Sequence, residues 1–282
     1  MPTSAPDPGR DPHHHRQIAE SFGVDAERYD RARPRYPDAM IARVVAASPG
    51  PDLLDVGVGT GIDARQFQAA GCRVLGVEPD ERMAAFARRT GIAVEVSTFE
   101  AWEPAGRTFD AVVAGQAWHW VDPVVGAAKA ARVLRPGGRL ALFWNAALPS
   151  PPLAEAFAAI QARFLPPDLA PHLAGADRPP PPAAGADRSP PAAEAYRTMA
   201  AAADSGIAAA GAFDEPQRWS FDRDVTYTRE EWLDQVPTTG LNTRLPPATL
   251  ELLLAETAAA VDAAGGAVPI HFTTVVVTAA RR

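Results

Sequence analysis

Asp55, the glycines Gly57, Gly59 and Gly61 that follow it, and Glu78 are the residues whose types and spacing could do chemistry. The first four fall in L-L-D-V-G-V-G-T-G, residues 53–61, an apolar run that ends in an acid and passes into glycines on alternate positions. Such a turn brings backbone N–H groups to a nucleotide-like ligand, because a Cβ would block close approach or forbid a positive φ. The next apolar run, 73–77, ends in Glu78. That sets a carboxylate at a second strand end about twenty residues on, where ribose hydroxyls need an acceptor. The spacing departs from the dinucleotide fingerprint, whose third glycine would fall where Ile62 stands, and this argues against NAD. Without a ligand the same glycines make only a tight strand-to-helix turn.

A second group is Trp118-His119-Trp120, which follows the apolar F-D-A-V-V-A. An imidazole titrates near neutral pH and can take an acceptor's proton, while indole faces suit a planar acceptor or a cation. The alternative is that the indoles belong to the core and His119 fills space or caps the next helix. A third group, Tyr29, Arg33 and Tyr36, lies in E-R-Y-D-R-A-R-P-R-Y-P. A guanidinium fork matches a carboxylate, although Arg28, Arg31 and Arg35 offer the same fork, or all are solvated. The single Cys72 excludes an internal disulfide and reads as a small residue at a strand start. His13, His14 and His15 are chain neighbours that cannot all turn to one ion, so no metal is expected.

The elements that must position these groups alternate. Strands are expected at 53–56, 73–77, 93–97, 109–114 and 139–144, with helices at 60–70, 80–89 and 122–134 between them. Asp80 and the pair Asp122-Pro123 supply helix starts. Alternation with apolar strands predicts an α/β architecture: a doubly wound, mostly parallel sheet with helices on both faces. Upstream, residues 1–15 read as a disordered tail and 16–48 as an N-terminal helical lid, with 49–145 the core. Residues 146–215 read as a helical, Pro-rich cap insertion. Within it A-G-A-D-R-P-P-P at 174 recurs as A-G-A-D-R-S-P-P at 184, so 165–193 is expected to be a disordered insertion grown by duplication. The remainder, 216–282, returns to the core with a short strand at 218–221, a Thr228/Glu231 capping box, a helix at 250–264 and a last strand at 270–278.

A net charge of −7 and a pI near 5.4 provide no general field to gather nucleic acid. No apolar run reaches membrane-spanning length and no signal-peptide core is present, so a cytoplasmic protein acting on a small molecule is expected. A monomer or homodimer is expected.

D-V-G-V-G-T-G followed by G-V-E-P-D, joined by F-D-A-V-V-A before W-H-W, V-L-R-P-G-G-R-L before strand five and F-G-V-D-A-E-R-Y-D-R-A-R-P-R-Y-P upstream, resembles the class I S-adenosylmethionine (SAM)-dependent methyltransferases. The resemblance covers about residues 21–282 apart from the Pro-rich insertion. It implies a Rossmann-like seven-stranded sheet with SAM as cofactor. Asp55 and Gly57 would then lie at the methionine end of SAM, Gly59 and Gly61 on its floor and Glu78 on its ribose. Pro79 and Met83 would border the adenine, or Met83 simply packs its helix, while Thr98 and Phe99 cover the base. Gly115 and Gln116 would approach the amino acid end, and Arg33 would pair with the carboxylate as the lid closes. His119 is the expected base, with Tyr29 and Tyr36 in reserve. Trp118, Trp120, Trp219 and Tyr227 are the expected acceptor contacts. The acceptor itself stays open between an aromatic or indole scaffold and a carboxyl group of the trans-aconitate type, with a SAM-binding module without turnover as the rival from another class.

Overall fold

The computed structural model describes residues 22–164 and 191–282. The expected tail, the three adjacent histidines and most of the Pro-rich repeat lie outside the described residues. A 3-10 turn, Phe22–Asp25, leads into α1, Ala26–Ala32, and α2, Asp38–Ala46. The alternating core follows as β1 (Asp52–Val56), α3 (Ile62–Ala69), β2 (Arg73–Glu78), α4 (Glu81–Arg89), β3 (Ala93–Val96) and β4 (Phe109–Gly115). After a 3-10 turn at Trp118–Trp120 come α5 (Pro123–Val133), β5 (Leu134–Pro149), α6 (Pro151–Phe164) and α7 (Pro191–Ala210). Then β6 (Gln217–Thr228), α8 (Arg229–Gln235), α9 (Pro247–Ala263) and β7 (Ala267–Ala280) close the chain.

Seven strands form one sheet in the order β3-β2-β1-β4-β5-β7-β6, with β7 antiparallel to both its neighbours and the rest parallel. Leu54, Val112, Leu140 and Trp144 pack on one face beneath α5 and α7, and Leu53, Val113, Phe67 and Phe143 on the other beneath α2, α3 and α4. The central strands β1 and β4 are buried on both faces, which is why they are largely apolar. The helix starts follow the text: Asp80 accepts from the backbone of Arg82 and Met83, Asp122 from Val124 and Val125, and Thr228 with Glu231 completes a capping box.

Two expectations of extent change. β6 runs from Gln217 to Thr228 rather than 218–221, and β5 continues to Pro149. The charged string Asp222-Arg223-Asp224 hides the first, because only alternate residues of an edge strand face inward: Trp219, Phe221, Arg223, Val225 and Tyr227 turn in while Ser220, Asp222 and Asp224 are exposed. The overshoot of β5, β6 and β7 beyond the parallel strands builds a wall above the sheet. A third, smaller cluster of Leu153, Val261, Ile270 and Phe272 joins this wall to α6 and α9. α7, grouped above with the cap, buries Ala200, Ala203 and Ile207 in the core beside α5. Its Gly206 allows the approach, since a Cβ there would lie 2.2 Å from the Pro123 carbonyl oxygen.

Candidate active site

A cleft opens at the C-terminal ends of β1 and β4, lined by Gly57, Gly59, Asp63, Gly115, Gln116 and Asn145 and covered by Tyr29, Arg33 and Tyr36. Gly57, Gly59 and Gly61 all have positive φ, at 70°, 55° and 86°. At Gly57 a side chain is excluded twice over, because its Cβ would also lie 2.5 Å from that of Ala117. The loop is pinned to β2, with Gly57 N–H donating to the Val77 carbonyl at 2.8 Å and Gly59 N–H to Glu78 Oε2 at 2.8 Å.

Glu78 is buried, and its other oxygen accepts from Asp80 N–H at 2.9 Å. Burial pushes its carboxyl up to about 7, against the pull of those two backbone donors. Asp55 is wholly buried, and neither of its oxygens has a nitrogen or hydroxyl donor among the described residues. Burial and then the neighbouring Asp63 hold Asp55 well above the carboxylate range, while burial raises Asp63 to about 6. One proton shared between the two carboxyls accounts for oxygens that lack any other donor.

Tyr36 and Asp63 converge on Gly115. A methyl group there would fall 2.8 Å from the Tyr36 hydroxyl and 2.7 Å from Asp63 Oδ2. Burial, and then Asp63, push the Tyr36 phenol far above its usual range, so at neutral pH it keeps its proton and is no base. Gln66 fixes it by exchanging hydrogen bonds with its backbone at 3.0 and 2.8 Å, and the ring packs edge-on to Phe143 at 4.7 Å. Gln116 holds a left-handed φ of 53°, rare outside glycine. Its N–H donates to the Phe143 carbonyl at 2.9 Å and its side chain to the Asn145 carbonyl at 3.3 Å, contacts that stabilise the strained backbone. Tyr196, from α7, hydrogen-bonds the same Gln116 side chain.

The N-terminal segment expected as a lid packs over the cleft. Arg28 and Arg31 pair with Asp234 of α8 at 3.0 and 2.8 Å, and Asp30 with Arg65 at 2.6 Å. Phe22 packs edge-on between Tyr29, 5.8 Å away, and Trp120, 6.5 Å away. Arg33 sits over the Tyr29 ring at 5.1 Å.

Beside Glu78, a hydrogen bond from Ser97 N–H to its carbonyl at 3.1 Å sets the end of β3 against the end of β2. Pro79 is exposed there, Met83 and Phe99 are buried, and Thr98 Oγ1 accepts from Ala101 N–H at 3.3 Å.

Four predicted residues fall elsewhere. His119 is exposed on the 3-10 turn, its ring 4.6 Å from that of Trp120, and is not among the residues lining the cleft. Trp118 is buried against Phe99 and Gly126, because the turn rolls its ring into the core. Trp219 is buried beneath the Arg43 guanidinium, 4.2 Å away, near the other end of β6. Tyr227 packs with Trp232 and Phe272 in the cluster under the cap. Residues the sequence did not single out also contribute: Asp63 and Asn145 line the cleft, and Tyr196 braces it from behind through Gln116. The position of Asp63, two residues beyond the last glycine in the first turn of α3, is a signal that could have found it. Tyr196 and Asn145 carry no local signal.

A protein-family model described as a methyltransferase domain matches residues 54–142. The chain is 38% identical over 132 residues to an uncharacterized methyltransferase of Mycobacterium bovis, covering 46% of this chain and 54% of that protein. It is 34% identical over 152 residues to a malonyl-[acyl-carrier protein] O-methyltransferase of Enterobacter lignolyticus, covering 52% and 60%. The chain thus spans little more than half the length of the curated relatives it matches. Among solved structures, a candidate type II methyltransferase from Anaeromyxobacter dehalogenans aligns with a TM-score of 0.56 at 24% identity, over 89% of this chain and 97% of that one. That likeness is one of fold.

Proposed function

We propose that this chain is a class I SAM-dependent methyltransferase, one that binds SAM and transfers its methyl group to a small-molecule acceptor. The observation that carries the reading is Glu78. Its buried carboxylate stands at the end of β2 beside three glycines of positive φ, with acceptor capacity left after its two backbone bonds. Ribose hydroxyls fit that acceptor. The shared-proton pair of Asp55 and Asp63 suits an ammonium group, which would displace the proton and satisfy oxygens now short of donors. Arg33 suits the cofactor's carboxylate from the lid side.

When bound, SAM supplies an electrophilic methyl group on a sulfonium. The chain's own task is to hold the acceptor in line at near-attack distance and to keep water out. The lid, latched by Arg28 and Arg31 to Asp234, excludes water, while the strained Gln116, tied to Asn145 and Tyr196, fixes the loop at the cleft floor. The burial of Trp118 removes the support for an indole plate at the cleft mouth.

Titration calorimetry and thermal shift with SAM, S-adenosylhomocysteine and NAD test the reading, since a ligand of the folded state raises the melting temperature by mass action. Binding of the first two is expected. A response to NAD alone overturns it, and SAM binding without conversion by any acceptor returns the chain to the status of a binding module.

A further inference from the structure

Arg223 lies on the inward face of β6, in register with Phe272 of β7 and, one strand further, Ala147 of β5. The adjacent row on that face is Phe221, Thr274 and Asn145, and Asn145 lines the cleft. Arg223 therefore stands one pleat above the cofactor cleft, between the Asn145 row and the apolar cluster beneath the cap. Its guanidinium lies over the Phe272 ring at 4.8 Å and reaches the Arg35 carbonyl of the lid. Burial lowers the pKa of its guanidinium, opposed by the Tyr227 and Tyr36 phenols. No carboxylate among the described residues pairs with it, and its Nε–H is buried without a partner. The exposed Asp222 and Asp224 beside it in sequence point to the opposite side of the strand.

A guanidinium held this way is an unfinished recognition site. Burying a charged donor without an acceptor is unfavourable, and the fork of Nε and Nη matches two carboxylate oxygens. We infer that Arg223 binds the carboxylate of the acceptor, and that the acceptor is a small carboxylic acid converted to its methyl ester. The inference rests on the methyltransferase reading above and names its substrate class. A lone pair of the carboxylate oxygen forms the new O–CH3 bond as the S–CH3 bond of the sulfonium breaks, leaving a neutral thioether and an ester. An ionised carboxylate has no proton to lose, so the step needs no general base. That agrees with the site: His119 stands outside the cleft lining and the Tyr36 phenol stays protonated.

The experiment uses the full chain with methyl-labelled SAM and a panel of aliphatic and aromatic monocarboxylates, each beside its primary amide. Label is expected only in the acids of the panel, in a product that mild alkali cleaves to labelled methanol. Arg223→Gln is expected to raise KM for the best acid by about 10- to 100-fold while the SAM Kd stays within about twofold. Arg223→Lys, which keeps charge but loses the fork, should fall between. SAM binding with no transfer to any acid, equal transfer to the amides, or an unchanged KM in a folded Arg223→Gln protein each overturns the inference. Failure to bind SAM at all overturns the methyltransferase reading instead.

Discussion

At the N-terminal edge of the sheet Asp52 and Asp110 share Arg135, at 2.9 and 2.7 Å, whereas at the C-terminal edge Asp55, Asp63 and Glu78 make no ion pair among the described residues. The groups are all carboxylates, and two of them, Asp52 and Asp55, lie three residues apart on the same strand, β1. At the first edge burial would push Asp52 up, but Arg135 and Arg73 outweigh it and hold the carboxyl low. At the second, burial goes unopposed by any arginine ion pair, and all three carboxyls rise. One edge is finished by the protein's own side chains; the other is left for a ligand to finish. Strand C-termini are where open α/β sheets bind ligands, and here the titration behaviour marks the same edge independently.

The difference is broken most sharply at Glu78. Glu78→Ala is expected to weaken SAM binding by about 1.5–3 kcal/mol, the range for hydrogen bonds to a charged group, without loss of fold. Calorimetry checks it, and unchanged affinity would reduce Glu78 to a loop fastener for Gly59. The sign with pH follows from its raised value. The folded protein holds a proton that the unfolded chain releases between about 4.5 and 7, so stability falls as pH climbs through that window and levels above it. Ribose hydroxyls donate more strongly to the ionised form, so SAM affinity rises over the same window. Glu78→Gln should flatten that rise.

The opposite edge should answer in stability instead. Asp110→Ala removes the acceptor of Asp52 N–H at 2.9 Å and a partner of Arg135 in a buried position. A loss of about 1.5–3 kcal/mol in denaturant unfolding is expected, with SAM affinity unchanged. A change in affinity equal to that at Glu78 would erase the distinction between the edges.

Much of this contrast was legible in the chain. Asp55, the glycines and Glu78 announce themselves because the turn needs backbone freedom and the acid ends an apolar run, both properties of adjacent residues. The caps at Asp80, Asp122 and Thr228 were readable for the same reason. What stayed hidden depends on distant partners. Arg223 looked like one of many arginines until the register of β6 against β7 set it over Phe272. Asp63 became a site residue only when α3 turned it toward Asp55 and Gly115. At His119 the three letters W-H-W cannot specify the 3-10 turn, which sends Trp118 inward and His119 out.

Asp55 offers a smaller and more discriminating test. Burial, and then Asp63, hold its carboxyl well above the ordinary range, so folding takes up a proton above that range. Stability therefore falls as pH rises above that range, and Asp55→Asn, nearly isosteric and never ionised, escapes the penalty. The variant is expected to melt a few degrees above the wild type at pH 8, a gain of about 1 kcal/mol, and to lose that advantage near pH 4. A destabilised variant at pH 8 would mean that the Asp55–Asp63 proton is itself structural.

The smallest effect is expected at His119, where the comparison is between a residue near the cofactor in sequence and one near it in space. The turn that carries it follows β4 directly, so proximity along the chain argues for a base. Exposure argues the other way: a base must reach the reacting proton through at most one water, and His119 is exposed on the turn. His119→Ala should keep SAM affinity, stability within about 0.5 kcal/mol and near-native turnover, as surface substitutions do. Trp120→Ala, one residue on, is the control. Its ring packs against Phe22 at 6.5 Å, so its loss should loosen the lid and raise KM for SAM while His119→Ala does not. If instead His119→Ala lowers kcat by about 10²-fold or more with SAM binding intact, the imidazole swings into the cleft during turnover. The acceptor would then need a base, and the carboxylate assignment at Arg223 would fall with it.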